Sequence, residues 1–341
     1  MSYEQTYDFS DVIRQASINE NLLEARIELN TVCNLRCVHC YLPEHINKGL
    51  SYEEITDLFY ELRELGVYNL TLTGGEIFCR KDIIDIIKKA RELGFNVSLF
   101  SNITLLNDDI VRQLAELYID KVSCTLFSLN EEINDNIMGK QGSTKLILEN
   151  IELLIKYNID VEVKTVLMNL NVFEYKDIVK YCQARGINHV VSVNVTKKFL
   201  EDDANVKLRV CDDELEKIFL DESLGLLKKN NVLDTDYICE KLRYSLFINS
   251  EGSVYPCDTF SELCGNIKQQ RLYEIWNNSG RLKYYRNLTM KQLNSCKDCN
   301  KKKYCFKCPG ITQLEEGNID KQSTLACQHA DVRYKLLKEA L

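Results

Sequence analysis

The sequence predicts an α/β protein in which a partial (β/α)6 parallel barrel is followed by a small cysteine-rich domain. Three observations lead there. Six short strand-type segments alternate with helix-type segments between residues 22 and 200, and a CxxxCxxC triad follows the first of them. After about Lys197 the alternation fades, and from Cys239 onward cysteine, lysine and turn residues replace it. The expected organisation is an N-terminal extension (1–21), the barrel (22–200), a helical linker (201–238) and a cysteine-rich domain ending in a helix (239–341).

The first strand is expected over Leu23 to Leu29, delivering the chain into the cysteine loop. A helix follows, with Ser51 and Glu54 spaced as a capping box and Leu50 and Ile55 as a hydrophobic staple. Its apolar positions Ile55, Leu58, Phe59, Leu62 and Leu65 keep helical spacing until Gly66. The pattern then repeats as strand 69–73, helix 81–93, strand 96–101, helix 108–117 and strand 121–126. After a longer connection come helix 144–157, strand 160–166, helix 175–184 and strand 189–195. Strands separated by helices pair in parallel through right-handed crossovers. In such folds chemistry gathers at the C-terminal ends of the strands, where the triad lies.

The composition, 45% hydrophobic and 28% charged over 341 residues, is that of a folded globular protein. No run of about 18 apolar residues and no secretory pattern at MSYEQTYDFSDVIRQ is present, so no membrane partner and a cytoplasmic location are expected. A net charge of −8 disfavours nucleic acid, which needs a positive footprint. Lys297, Lys301, Lys302, Lys303 and Lys307 crowd the C-terminal cysteines; such a run is commonly a solvated face, and otherwise tunes a cluster or meets an acidic substrate.

Fifteen cysteines in a reducing compartment point to metal ligation before disulfides. Thiolates suit iron–sulfur clusters or zinc. Cys33, Cys37 and Cys40 supply three ligands, which on a four-iron cluster leaves one iron open to an outside chelator. The competing reading is a zinc knuckle that borrows His39 or His45.

VCNLRCVHCY, followed by TLTGGE at the end of the second strand, strongly resembles the radical S-adenosylmethionine (SAM) superfamily over roughly residues 22 to 200. The resemblance implies that Cys33, Cys37 and Cys40 bind a 4Fe-4S cluster whose open iron is chelated by SAM. It implies that Gly74, Gly75 and Glu76 hold the SAM amino group, and that His39 lies near the adenine. Ser101 and Asn102 match the pair that contacts the ribose, with Ile103 where many relatives have glycine. Lys164 is a candidate for the SAM carboxylate; the ordinary alternative is a solvent-facing strand lysine. The implied chemistry is one-electron cleavage of SAM to methionine and a 5′-deoxyadenosyl radical, fed by a reductant such as flavodoxin or ferredoxin.

The later cysteines, Cys239, Cys257, Cys296, Cys299, Cys305, Cys308 and Cys327, resemble the SPASM extension of that family over about residues 239 to 330, with CFKC one residue shorter than the commonest spacing. The resemblance implies one auxiliary 4Fe-4S cluster on Cys239, Cys257 and Cys308 and another on Cys296, Cys299, Cys305 and Cys327, three clusters in all. Cys264 or an outside donor completes the first auxiliary set. A zinc ribbon is the competing reading, though it leaves Cys239, Cys257 and Cys327 unexplained. Cys79, Cys124, Cys182 and Cys211 are expected to be ordinary small apolar residues.

Relatives with both signatures most often modify peptides, and IMGKQGSTKLILENIELL matches a connection found in peptide-modifying members. The leading expectation is modification of a ribosomally synthesised precursor peptide by a thioether or carbon–carbon crosslink, epimerisation or oxidation. About twenty residues precede the first strand, too few for a recognition domain, so a separate leader-recognition protein is an expected partner. The alternatives are oxidation or rearrangement of a small molecule, and a non-enzymatic zinc-stabilised binding module. No general acid or base stands out.

Overall fold

A computed structural model describes residues 8–198, 204–230, 233 and 235–339. Helix α1 (Phe9–Asn19) leads into β1 (Glu24–Glu28), α2 (Tyr52–Glu64), β2 (Asn69–Thr73), α3 (Ile83–Glu92), β3 (Asn96–Phe100) and α4 (Asp108–Glu116). Next come β4 (Lys121–Thr125), α5 (Glu131–Met138), α6 (Ser143–Lys156), β5 (Val161–Val166), α7 (Tyr175–Gln183) and β6 (Asn188–Ser192). Then follow α8 (Asp212–Phe219), β7 (Ser245–Ile248), β8 (Ser253–Tyr255) and β9 (Gly265–Asn266). The chain closes with α9 (Leu272–Asn278), α10 (Gly280–Asn287), α11 (Pro309–Glu316) and α12 (Thr324–Glu339).

The six predicted strands form one parallel run in the order β6-β5-β4-β3-β2-β1. The sheet continues beyond β1. Strand β7 pairs with β1 in parallel, Glu24 opposite Ser245, and β8 and β9 add antiparallel to it. The first strands of the cysteine-rich region therefore extend the barrel sheet and are docked on its edge. Every residue of β7 is buried, so SLFI carries no period-two signal by which a short strand is recognised.

The cap of α2 is as expected: Ser51 Oγ accepts from Glu54 N at 3.1 Å and Glu54 Oε2 accepts from Ser51 N at 2.8 Å. Leu58, Phe59 and Leu62 are fully enclosed against the sheet, worth about 1.5–3 kcal/mol each. Gly66, at φ +91°, ends the helix in a conformation that side chains resist.

The connection before α6 contains α5, whose short, polar stretch EEINDNIM hides its helical period. Asn130 caps it by accepting from Glu132 N and Ile133 N. Its last turn braces the cysteine loop: Arg36 N donates to Met138 O and Val38 N to Ile137 O, at 3.1 and 2.9 Å. Buried Asp135 takes hydrogen bonds from Gly142 N, Ser143 Oγ and Thr144, which ties α6 to the same brace.

Among the described residues no helix is long and apolar enough to cross a membrane.

Candidate active site and cysteine centres

A cavity of about 260 Å³ opens at the C-terminal ends of β1 to β5, and Cys33, Cys37 and Cys40 line one side of it. They are the only cysteines among its lining residues. Two clamps hold their loop. Arg36 Nη1 donates to the carbonyls of Cys33 and Leu35, both at 2.7 Å, and buried Asn205 Nδ2 donates to those of His39 and Cys40. Burial pushes the Cys33 thiol up to about 11 and Cys37 up to about 12, and raises Cys40 as well. Metal binding must displace those protons.

Gly74 and Gly75 also line the cavity, and the chain there runs close against the cysteine loop. Gly75 N donates to Asn30 O and Glu76 N to Val32 O, at 2.9 and 2.8 Å, so the chain leaving β2 runs against the cysteine loop. A Cβ on Gly75 would lie 2.3 Å from Thr31 O and 2.5 Å from Val32 O, and one on Gly74 2.7 Å from Asn30 Oδ1.

Glu76 does not line this cavity; it stands in the wall, 1% exposed. Its Oε1 accepts from Ser101 Oγ (2.8 Å) and Phe78 N (3.0 Å), and its Oε2 accepts from Asn102 N (2.7 Å). Burial raises its carboxyl above the usual range, opposed by those hydrogen bonds. Asn102 Nδ2 in turn reaches Asn34 Oδ1 at 3.0 Å and stands 3.8 Å from the Cys33 sulfur. Glu76, Ser101 and Asn102 thus form one network that sets the cavity wall and touches the cysteine loop. Ile103 holds φ +56°, the left-handed region that explains glycine's use there, and a β-branched residue pays for it with strain. Asn150 Nδ2 and Ser101 Oγ pin its backbone.

His39 packs edge-on against Phe127 with centroids 4.8 Å apart. Burial lowers its pKa to about 4, so it is neutral, and its Nδ1 is buried without a hydrogen-bond partner. Lys164 lies on the cavity side of β5, 3.3 Å from Glu162 Oε1 and 3.5 Å from the Phe100 ring centre. Burial lowers its pKa, against the pull of Glu162.

Two residues that drew no attention in the sequence complete the lining. Arg26 on β1 pairs with Asp258, the only carboxylate among the described lining residues. The available signals were a basic residue between two acidic ones along one strand and an acid directly after Cys257.

The other cysteines gather in two further groups. Thr259 Oγ1 lies 3.0 Å from the Cys257 sulfur and 3.8 Å from that of Cys308, and Cys308 is an electrostatic neighbour of both Cys239 and Cys257. Cys327 has Cys296 and Cys299 as neighbours, and Cys305 has Cys327 and Cys296. A cavity of about 310 Å³ is lined by those four together with Cys239 and Cys308. Cys264 faces Glu262 and Arg281 instead. Of the lysines, Lys301, Lys302 and Lys307 line this cavity, Lys307 Nζ standing 3.4 Å from the Cys296 sulfur, while Lys297 and Lys303 are exposed.

Among the described residues no three His, Cys, Asp or Glu side chains are placed to hold a single metal ion. Cys33, Cys37 and Cys40 line one cavity, and six of the later cysteines line another. Of the remaining cysteines, Cys124 and Cys182 are core residues. Cys211 is exposed beside the start of α8, and Cys79 is a half-buried neighbour of Cys33, so neither is ordinary core.

The fold and both cysteine regions have known counterparts. Residues 27–185 match the model of the radical SAM superfamily, and residues 239–300 match the SPASM iron–sulfur cluster-binding domain. An AdoMet-dependent heme synthase of Methanosarcina barkeri is 26% identical over 319 residues, 82% of this chain and 89% of its own. PqqA peptide cyclase of Bradyrhizobium diazoefficiens is 22% identical over 93% of this chain and 90% of its own. The structure of Streptococcus suis SuiB bound to its precursor peptide SuiA superposes with a TM-score of 0.72 at 15% identity, covering 93% of this chain and 80% of that one, a likeness of fold.

Proposed function

This chain is a radical SAM enzyme with an SPASM iron–sulfur domain, and from that premise we propose that it modifies a ribosomally synthesised peptide by hydrogen abstraction. The observation that supports the reading is the gathering of cysteines at two places, Cys33, Cys37 and Cys40 on the cavity at the strand ends and six of the later cysteines around a second cavity. When bound, SAM and the first cluster supply one-electron reductive cleavage and with it the removal of a hydrogen atom from carbon.

The chain's own residues do the rest. Cys33, Cys37 and Cys40 hold a 4Fe-4S cluster with one open iron. His39, neutral and with Nδ1 unpartnered, would offer that ring nitrogen to the adenine of SAM. Lys164, which lines the cavity, would neutralise the carboxylate of SAM. Glu76 acts through Ser101 and Asn102, which it holds in place. Cys239, Cys257 and Cys308 hold one auxiliary cluster and Cys296, Cys299, Cys305 and Cys327 the other, three clusters in all. No cysteine completes the first auxiliary set, which leaves a position for an outside donor. Asp258 accepts the proton released when the substrate is oxidised. It directly follows Cys257, which would help hold the auxiliary cluster that supplies electron-accepting chemistry when bound.

Likeness to the heme synthase favours a second reading, a tetrapyrrole or other small molecule as substrate. Anaerobic incubation with SAM and a reductant, offering either a short peptide encoded beside this gene or a set of metallated tetrapyrroles, separates the two. The proposal expects 5′-deoxyadenosine together with a changed peptide mass; turnover with the tetrapyrroles alone would replace it.

A further inference from the structure

A second cavity, of about 320 Å³, lies on the β1–β7 side of the sheet. Neither the SAM site nor the auxiliary centres use it. Tyr41 and Leu42 line both this cavity and the SAM cavity, so the two spaces meet at those side chains.

Glu28, the last residue of β1, is the buried carboxylate among its lining and is 5% exposed. Its Oε1 accepts from Ser250 N at 3.1 Å and Ser250 Oγ at 2.8 Å. Among the described residues its Oε2 has no hydrogen-bond donor, and no Lys or Arg lies within 4 Å of the carboxylate. Phe247, Tyr255 and Phe260 supply aromatic surface, and exposed Glu44 and Glu251 also line the cavity. None of the described lining residues is basic.

An enclosed carboxylate without a counter-charge is costly, and burial is what raises its pKa. A cation entering between the rings would pair with the free oxygen and gain from the ring faces. An anion would meet three carboxylates, and an apolar group would leave Oε2 unsatisfied.

We propose that this cavity binds a cationic group of the substrate, a lysine or arginine side chain on the peptide reading above, anchored on Glu28 while an adjoining part of the substrate passes Tyr41 into the SAM cavity. The inference rests on that reading only for the identity of the cation's carrier.

The test uses the anaerobically reconstituted enzyme with SAM and two probe pairs, followed by calorimetry and ligand-observed NMR. One pair is acetyl-Gly-Gly-Lys-Gly-Gly-amide against the same peptide with norleucine. The other is n-butylammonium against n-butanol. The wild-type protein is expected to prefer each cation by at least tenfold, and E28Q, which keeps the shape and the Ser250 contacts, to bring both ratios close to one. A double variant of exposed residues, E44Q with E251Q, should lower the preference several-fold without affecting the fold. Preference for butylammonium with no further gain from the peptide would uphold the cation site and remove the peptide as its carrier. Equal binding of charged and neutral probes by the wild-type protein, or a preference that survives E28Q, would overturn the inference whatever the substrate is.

Discussion

Replacing Gly75 by alanine is expected to cut SAM cleavage by at least 10²-fold, the factor expected when a reacting group is misplaced by about 1 Å, and to remove about a third of the bound iron, one four-iron cluster of three. The added Cβ would sit 2.3 Å from Thr31 O and 2.5 Å from Val32 O, contacts with backbone that no rotamer change relieves. Both carbonyls belong to the run that delivers Cys33, and the hydrogen bonds from Gly75 N and Glu76 N hold that run in place. The loop must move away and take the first thiol with it. Gly94 is the matched control. It has φ +81° and nothing within 4 Å of the place a Cβ would occupy, so alanine there costs about 1 kcal/mol of left-handed strain and leaves iron and cleavage intact. Iron content, absorbance near 400 nm and 5′-deoxyadenosine formation read the difference. Full iron loading of the Gly75 variant would show that the glycine serves no such packing role.

The Asp258→Asn variant is expected to lower formation of modified product by roughly 10²–10⁴-fold, the range for loss of a general base, while SAM cleavage stays within a few-fold. The amide keeps the size of the side chain and removes its capacity to take a proton. Asp258 adjoins Cys257 and pairs with Arg26, so a purely structural role would show differently: iron would be lost from the auxiliary set, or cleavage and product formation would fall together. Measuring iron, 5′-deoxyadenosine and product on the same preparation tells these apart. Product formation at the wild-type rate would remove Asp258 from the reaction.

The barrel was legible because each of its strands and most of its helices advertise themselves locally. Ser51 and Glu54, and the glycines at 66 and 94, bound their helices by backbone chemistry that depends on few neighbours. Strand β7 was not legible, since its pairing with β1 joins residues more than 200 positions apart and all four of its side chains are buried. The same limit governs the site. Cys33, Cys37, Cys40, Gly74 and Gly75 lie within two loops and carry a recognisable spacing. Asp258, Arg26 and Glu28 acquire meaning only when the chain folds back and sets the cysteine-rich half against β1. The inward network of Glu76 was equally hidden, because a spacing motif names a residue without saying which way its carboxylate turns.

If Cys33, Cys37 and Cys40 hold the one cluster at which SAM is cleaved, a triple alanine variant reconstituted anaerobically beside the wild-type protein must lose cleavage. Four irons per cluster give about twelve irons per chain in the wild type and about eight in the variant, with 5′-deoxyadenosine formation abolished in the variant alone. Continued SAM cleavage by a variant lacking those three thiols would contradict that assignment.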